Sequence, residues 1–376
     1  MDQKTSKGIA ISLAAIAMVI SDTSWATEKT LKVGGRVQVD YTTANIDTPD
    51  ININDTEVRR ARLNVSGKYG SKIKYKFEIN KASGKSVKVE DAYIQFIPST
   101  SKVKVKLGQF KTHNSLDEQT SSRFISTLER SAFTDAFAFD RRVGASVGTS
   151  GDNFTFDAGV FTTNLENDGG ADEGHAISAR GTFNPIKTDQ TLVHLGTSWR
   201  YRKKGQTESD IRYRQRPFTH VAPNRIVDTG RFAGKDNFIG AEAAIIHNNL
   251  WASGEYAVLN VKGNDLNENA DFSGFYGELG MFFGGKKTYK GGKFNRPKIT
   301  NSLGEGGIGA VSLVARYDSL DLEDGPYSGE LKTLVIGADW WPTKYTRLGI
   351  NYFNADAEDG TAESANGLVA RLQFDF

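Results

Sequence analysis

The sequence predicts an all-β chain, an antiparallel transmembrane β-barrel of sixteen strands, and three observations predict it. Apolar and polar residues alternate over strand-length segments along most of the chain. The last segment, 368–376, alternates in the same way and closes on Phe376. Beyond the first 26 residues, no apolar run approaches the ~20 residues that a spanning helix needs. Composition agrees, with 13 Tyr, 22 Phe and 5 Trp, and 39 Gly against 8 Pro. The mean hydropathy of −0.44 is that of a water-soluble chain, as expected where only alternate residues face lipid. There are no cysteines, so stability after export must come from a source other than disulfides, such as barrel closure.

The N-terminal 26 residues read as a cleavable signal peptide. Lys4 and Lys7 precede the uncharged run Gly8–Ile20, and Ser24-Trp25-Ala26 supplies the small-x-small pattern of a cleavage site. Residues 27–376 are expected to form one barrel domain in the bacterial outer membrane. At the other end, Leu368, Ala370, Leu372, Phe374 and Phe376 share one face. Such a terminal strand resembles the signal that the barrel-assembly machinery reads in outer-membrane proteins.

The expected strands are 31–41, 57–68, 72–81, 87–97, 102–110, 140–149, 153–163, 174–184, 190–201, 236–247, 249–261, 271–283, 308–318, 329–342, 344–355 and 366–376. The first places Leu31, Val33, Gly35, Val37, Val39 and Tyr41 on one side. The third turns Ile73, Tyr75, Phe77 and Ile79 outward, with Lys74 and Lys76 inward; the fifth sets Val103, Val105 and Leu107 against Lys104 and Lys106. A lysine at every second position suits a strand with one face on lipid and one on a water-filled lumen. Connections mostly alternate between short turns, expected on the periplasmic side, and long external loops. The long ones are 42–56, 111–139, 164–173, 202–235, 319–328 and 356–365. Residues 284–307 break the rule, since parity makes them a periplasmic turn. Residues 208–216 are extended enough to be a strand, which makes eighteen the alternative count. A barrel of this size holds an aqueous channel unless something narrows it, and 111–139 is the candidate constriction loop.

Charge is segregated although the formal net is only +2. Residues 200–235 hold ten Lys/Arg against Glu208, Asp210 and Asp228. Within them Arg212, Arg214 and Arg216 alternate with other residues, so an extended segment sets them in one row. This basic segment is expected at the pore mouth, steering anions inward. Residues 164–173 and 318–330 are acidic, and 286–298 carry six bases without an acid.

Particular stretches give a family resemblance. Arg59-Arg60-Ala61-Arg62-Leu63, Glu90-Asp91-Ala92-Tyr93 and Gly108-Gln109-Phe110-Lys111 are followed by the long run Thr120–Ser131, TSSRFISTLERS. Arg141-Arg142-Val143-Gly144, Leu303–Gly307 (LGEGG) and Leu313–Tyr317 (LVARY) complete the set. Through these the chain resembles the phosphate-selective porin O and P family. The resemblance implies a homotrimeric porin with inward-folded loops and a selective path for phosphate or similar small anions. By motif it implies a binding constriction of Arg59, Arg60, Asp91, Ser121, Ser122 and Arg130, with Lys111 and Arg123 beside them. Arg62, Lys74, Lys76, Lys104, Lys106, Arg212, Arg214 and Arg216 are expected to line or steer.

The chemistry of these residue types fits. Guanidinium presents a planar fork of donors to an oxyanion, and serine hydroxyls donate or accept. An aspartate accepts the proton of hydrogen phosphate and limits how tightly the anion is held, as conduction requires. Strand parity groups Arg59 with the outward Ala61, Leu63 and Val65, whereas Arg60 and Arg62 have inward parity. Asp117 and Glu118, just before the serines, favour a second reading, a general porin or one for another oxyanion such as pyrophosphate. An enzyme is disfavoured: the five histidines are scattered, and no nucleophile elbow, HExxH or calcium loop is present. The expected surroundings are outer-membrane lipid and lipopolysaccharide, with no cofactor, metal or nucleic acid.

Overall fold

Alternation along the chain becomes a closed ring of sixteen antiparallel strands in the computed structural model. It describes residues 28–47, 50–98, 102–166, 174–206, 208–264, 267–360 and 362–376. The expected signal peptide, most of the acidic segment 164–173 and the turn at 99–101 lie outside the described residues. The ring runs β1 (Lys29–Ile46), β2 (Ile51–Tyr69), β3 (Ile73–Lys81), β4 (Lys88–Phe96), β5 (Lys104–Lys111), β6 (Arg141–Ser150), β7 (Phe154–Phe161), β8 (His175–Lys187) and β9 (Thr191–Lys203). It continues through β11 (Val227–His247), β12 (Leu250–Gly263), β13 (Ala270–Phe283), β16 (Ala310–Asp321), β17 (Glu330–Thr343), β18 (Thr346–Glu358) and β19 (Ser364–Asp375). Closure is made by β19 on β1, where Val37 faces Phe374 and Tyr41 faces Ala370. Outward residues such as Leu107, Leu195, Ile239, Ile336, Leu372 and Phe374 are exposed, which is the requirement of a lipid-facing band.

Three segments differ from the sequence expectation. The polar stretch 42–56 is not a long loop, because β1 and β2 continue to Ile46 and Ile51 and stay paired. Threonines and asparagines there suit turns, but an antiparallel partner satisfies their backbone equally well. Residues 211–215 do form a strand, β10 (Ile211–Gln215), yet it pairs with the extension of β11 and not with a wall strand on its other side. It therefore adds nothing to the ring, and the count of eighteen is excluded. Residues 284–309 are not a plain turn. They contain a hairpin, β14 (Gly285–Tyr289) and β15 (Phe294–Ile299), which folds up into the lumen from the end that holds Lys29 and Phe376.

The connection between β5 and β6 fills much of the lumen. It contains two short helices, α1 (Leu116–Gln119) and α2 (Ala132–Ala136). The buried apolar cluster lies inside the barrel, where Leu128, Phe133, Phe137 and Phe139 pack against Phe238, Tyr276, Val335 and Phe353 of the wall. Backbone groups of this segment are met by wall side chains. Arg347 donates to the carbonyls of Ile125 (3.1 Å) and Ser126 (3.0 Å), and Asn351 accepts from the Leu128 amide at 2.8 Å. Glu255 accepts from the amides of Leu116 (2.9 Å) and Asp117 (2.7 Å). The segment is thus held against the β11–β19 side, and the basic cavities open towards the β1–β9 side. Asp318, the first acid of the segment 318–330 and the last residue of the expected strand 308–318, is on β16 inside the barrel, where it accepts from the Ala132 amide at 3.3 Å.

Candidate functional site

Two bulges put consecutive charged residues into the lumen. In β2 the register slips so that Gln38 faces Arg60 and Val39 faces Val58, leaving Arg59 as an extra residue. Strand parity alone would turn Arg59 outward. The bulge cancels that parity, and Arg59 makes a two-point ion pair with Glu129 of the lumenal segment, both contacts 2.8 Å. In β4, Glu90 and Asp91 together oppose Glu78, between the outward pairs Phe77–Ala92 and Ile79–Val89. Arg141 then bonds Glu90 at 2.5 Å and Asp91 at 2.7 Å.

The residues around the second bulge explain its motif. Gln109 donates to the carbonyls of Val89 (2.7 Å) and Glu90 (2.8 Å) that the bulge leaves free. Gly108 has φ +122, and a Cβ there would lie 2.2 Å from the Ala92 carbonyl oxygen, so this position needs glycine.

The cavities follow one another and share walls. An outer cavity of about 750 Å³ is lined by Arg142, Arg202, Arg212, Arg214, Arg225 and Arg231 among others. A vestibule of about 290 Å³ follows, with Arg59, Arg60, Arg130, Arg141, Arg216 and Arg225; Asp135 and Arg225 border both. The central cavity, about 200 Å³, holds Arg36, Arg62, Lys76, Lys111, Arg123, Arg130, Arg141 and Lys293, with Ser121 and Ser122. Glu118, Arg130 and Arg141 border both vestibule and central cavity, so the passage between the two cavities lies among these three. Eight bases face three carboxylates in the central cavity, which leaves its potential positive.

Each of those three carboxylates is paired. Glu78 meets Arg62 (3.1 Å) and Lys76 (3.1 Å), and Asp91 meets Lys76 (2.6 Å) and Arg141. Glu118 meets Lys111 (2.8 Å) and Arg130 (3.0 Å). Burial opposes ionisation of Glu118, but Arg130 and Lys111 outweigh it and hold its pKa below the ordinary carboxylate range. Glu129 is held well below that range too: burial opposes, and Arg59, Arg60 and Arg371 prevail. Both are carboxylates at neutral pH.

Of the residues singled out by sequence, Arg59, Arg60, Asp91, Ser121, Ser122 and Arg130 all reach this passage, the first two in the vestibule and the others at or below it. Ser121 Oγ accepts from Arg36 at 3.2 Å and from Arg123 at 3.4 Å. Arg130 is more committed than sequence suggests, since it donates to the carbonyls of Asp117 (3.1 Å), Glu118 (3.4 Å) and Thr120 (2.8 Å). Lys111, Arg62, Lys76 and Arg123 line the central cavity. Lys106 lies in a further cavity, Lys104 donates to Ser150 at 3.1 Å, and Lys74 is exposed. Arg212 and Arg214 face the outer cavity, Arg216 the vestibule, and Arg212 is ion-paired with Asp228.

By sequence, Arg36, Glu129 and Lys293 are not marked as site residues, and Glu118 is marked only as a carboxylate set against anion preference. Arg36 was legible from its inward position between Gly35 and Val37. Arg141 stood within the quoted motif Arg141-Arg142-Val143-Gly144 and was not assigned a role.

Comparison with known proteins adds the following. A sequence profile described as phosphate-selective porin O and P matches residues 31–376. Porin O of Pseudomonas aeruginosa is 27% identical over 403 residues, covering 93% of this chain and 89% of that one. An uncharacterized protein of Caulobacter vibrioides is 31% identical over 375 residues, covering 93% of this chain and 74% of its own length. Among solved structures, the anion-selective porin from Comamonas acidovorans superposes with a TM-score of 0.61 at 14% identity, covering 93% of this chain and 100% of that one.

Proposed function

Because the chain belongs to the phosphate-selective porin O and P family and is a porin of the bacterial outer membrane, we propose that it forms an anion-selective diffusion channel whose preferred solute is phosphate or a closely related oxyanion. The observation that carries this reading is the central cavity, where eight bases and two serines surround three carboxylates that are all ion-paired. An oxyanion entering it exchanges part of its water shell for guanidinium and hydroxyl donors. The paired carboxylates lower the potential enough for release, since a conducting site must not hold its ion tightly. With the end that holds Lys29 and Phe376 on the periplasmic side, the outer cavity and the row Arg212, Arg214, Arg216 form the external approach, where low-dielectric walls focus the positive field. The low wall of short strands β3–β7 is the face on which three copies would meet.

A second reading, an anion pore without phosphate preference, is favoured by one observation. Arg130 spends most of its donors on loop carbonyls, which leaves fewer for a solute. Planar-bilayer recording separates the cases. Reversal potentials in a KCl gradient should favour chloride, and millimolar phosphate should block the chloride current. A cation preference would refute the anion channel. Chloride selectivity without phosphate block would leave only the second reading.

A further inference from the structure

Below the central cavity, towards the end that holds Lys29 and Phe376, lies a further cavity of about 190 Å³. On this measure one water needs ~10–15 Å³, so there is room for an oxyanion with several waters. It shares Asp91, Lys111 and Lys293 with the central cavity and adds Lys106, His113 and Asp157. Its charges differ from those above in one respect. Among the described residues, the side chains of Lys106, Lys293 and Asp157 have no hydrogen-bond or ion-pair partner, whereas every carboxylate of the central cavity is paired.

Lys106 and Lys293 are held in place by something other than a counter-ion. Lys106 Nζ lies over the rings of Tyr93 (4.9 Å) and Phe110 (4.7 Å), an arrangement that orients a cation without neutralising it. Lys293 is brought in by the β14–β15 hairpin. The tip of that hairpin, Gly291-Gly292, has φ +59 and +77 and is pinned where Arg180 donates to the Gly292 carbonyl at 2.7 Å. Tyr289 of the same hairpin meets His194 of the wall at 2.6 Å. His113 packs its ring against Phe110 and Phe161, both at 6.0 Å, and its Nε2 is buried with no partner. Burial, with Lys106, Arg180 and Lys293 nearby, pushes the His113 pKa down to about 3, so its ring is neutral and free to offer one N–H.

We propose that this cavity is a second oxyanion subsite, built to take a tetrahedral anion that still carries a proton, with Lys106 and Lys293 meeting its charge, His113 Nε2 donating to an oxygen, and Asp157 accepting the anion's own O–H. Hydrogen phosphate satisfies all four groups. Sulfate has the same shape but no proton at neutral pH, and its oxygens face the Asp157 carboxylate across a low-dielectric gap. The subsite therefore sorts oxyanions by protonation, through a carboxylate that no base of the protein pairs.

This inference rests on the channel reading, and the test separates the two. The channel is reconstituted in planar bilayers, and half-blocking concentrations of phosphate and of sulfate for the chloride current are measured with each anion added on either side. Asp157→Asn should reduce the preference for phosphate over sulfate by about tenfold, the effect of one hydrogen bond to a charged group, chiefly by strengthening sulfate block. Lys106→Met and Lys293→Met should each weaken block by both anions, most strongly from the side of Lys29 and Phe376, and Lys293→Arg should restore it. Because Lys106 is on the wall and Lys293 on the hairpin, disturbance of one element cannot account for both losses. If wild-type block is strong and the phosphate-to-sulfate ratio of Asp157→Asn is unchanged, the subsite is wrong and the channel reading stands. If wild-type current is neither anion-selective nor blocked by phosphate, both readings fall.

Discussion

Glu118→Gln tests the balance of charge in the passage between vestibule and central cavity. Glu118 borders both the vestibule and the central cavity and pairs with Arg130 at 3.0 Å and Lys111 at 2.8 Å. Glutamine keeps the acceptor oxygen and the shape while removing one negative charge. An anion bonded to the free edge of Arg130 lies roughly 6 Å from the Glu118 carboxylate, two hydrogen-bond lengths away. At that separation the repulsion removed is about 0.7 kcal/mol per anion charge in a water-like dielectric and about 2.8 kcal/mol at an effective value of 20. The half-blocking phosphate concentration should therefore fall by about threefold to a hundredfold, with slower exit visible as longer blocked intervals in single-channel records. Chloride selectivity should rise or stay constant. A half-blocking concentration that is unchanged or higher, in a channel of normal conductance, would refute the argument that paired carboxylates set the release rate.

Arg130→Ala should weaken phosphate block more than it lowers chloride conductance, and Arg130→Lys should keep chloride selectivity while making the open-channel current noisier, because one ammonium nitrogen cannot span the carbonyls that Nε and Nη2 reach separately; equal losses of block and conductance would reduce Arg130 to general charge. Arg347→Met removes the donors to Ile125 and Ser126 and strands Asp339, its partner at 2.7 Å; a cost of about 3–5 kcal/mol for a broken buried pair should loosen the lumenal segment, raise conductance and expose 112–140 to limited proteolysis. Lys293, pushed down to about 8 by burial and by Lys106 and Arg180 against Asp157 and Asp91, is charged below that pH and neutral above it. With neighbouring His113 uncharged throughout, chloride selectivity measured from reversal potentials should decline between about pH 7 and 9, and the decline should vanish in Lys293→Gln.

The ring itself was legible because lipid on one side and water on the other impose a period of two, and that period survives in the sequence from Leu31 to Phe376. Period failed where the backbone is irregular. A bulge shifts parity by one residue without any residue type that announces it, so Arg59 grouped with outward neighbours although it faces Glu129. The hairpin at 285–299 was illegible for another reason. A run of six bases looks like a solvated turn, and nothing local shows that Tyr289, Gly292 and Lys287 meet His194, Arg180 and Ser126 of distant elements. The loop motif Thr120–Ser131 did reach the passage, but its partners Arg347, Arg371 and Asn351 are more than two hundred residues away in sequence.

That partition of the arginines bears on how the proposed anion path is built from a chain of net charge +2. Arg200, Arg316 and Arg347 are among the most buried side chains of the barrel, and with Arg371 they serve backbone carbonyls of the lumenal segment and buried carboxylates. They hold the segment in place and contribute little field to the passage, because each lies against Asp236, Glu278, Asp339 or Asp40. The segment in turn fills the β11–β19 side and confines the aqueous route to the side where Arg36, Arg62, Lys76 and Arg141 stand. Selectivity then depends less on how many bases the chain carries than on which ones the loop leaves facing water. Substitutions that free the loop should lower selectivity while leaving every base of the passage in the sequence.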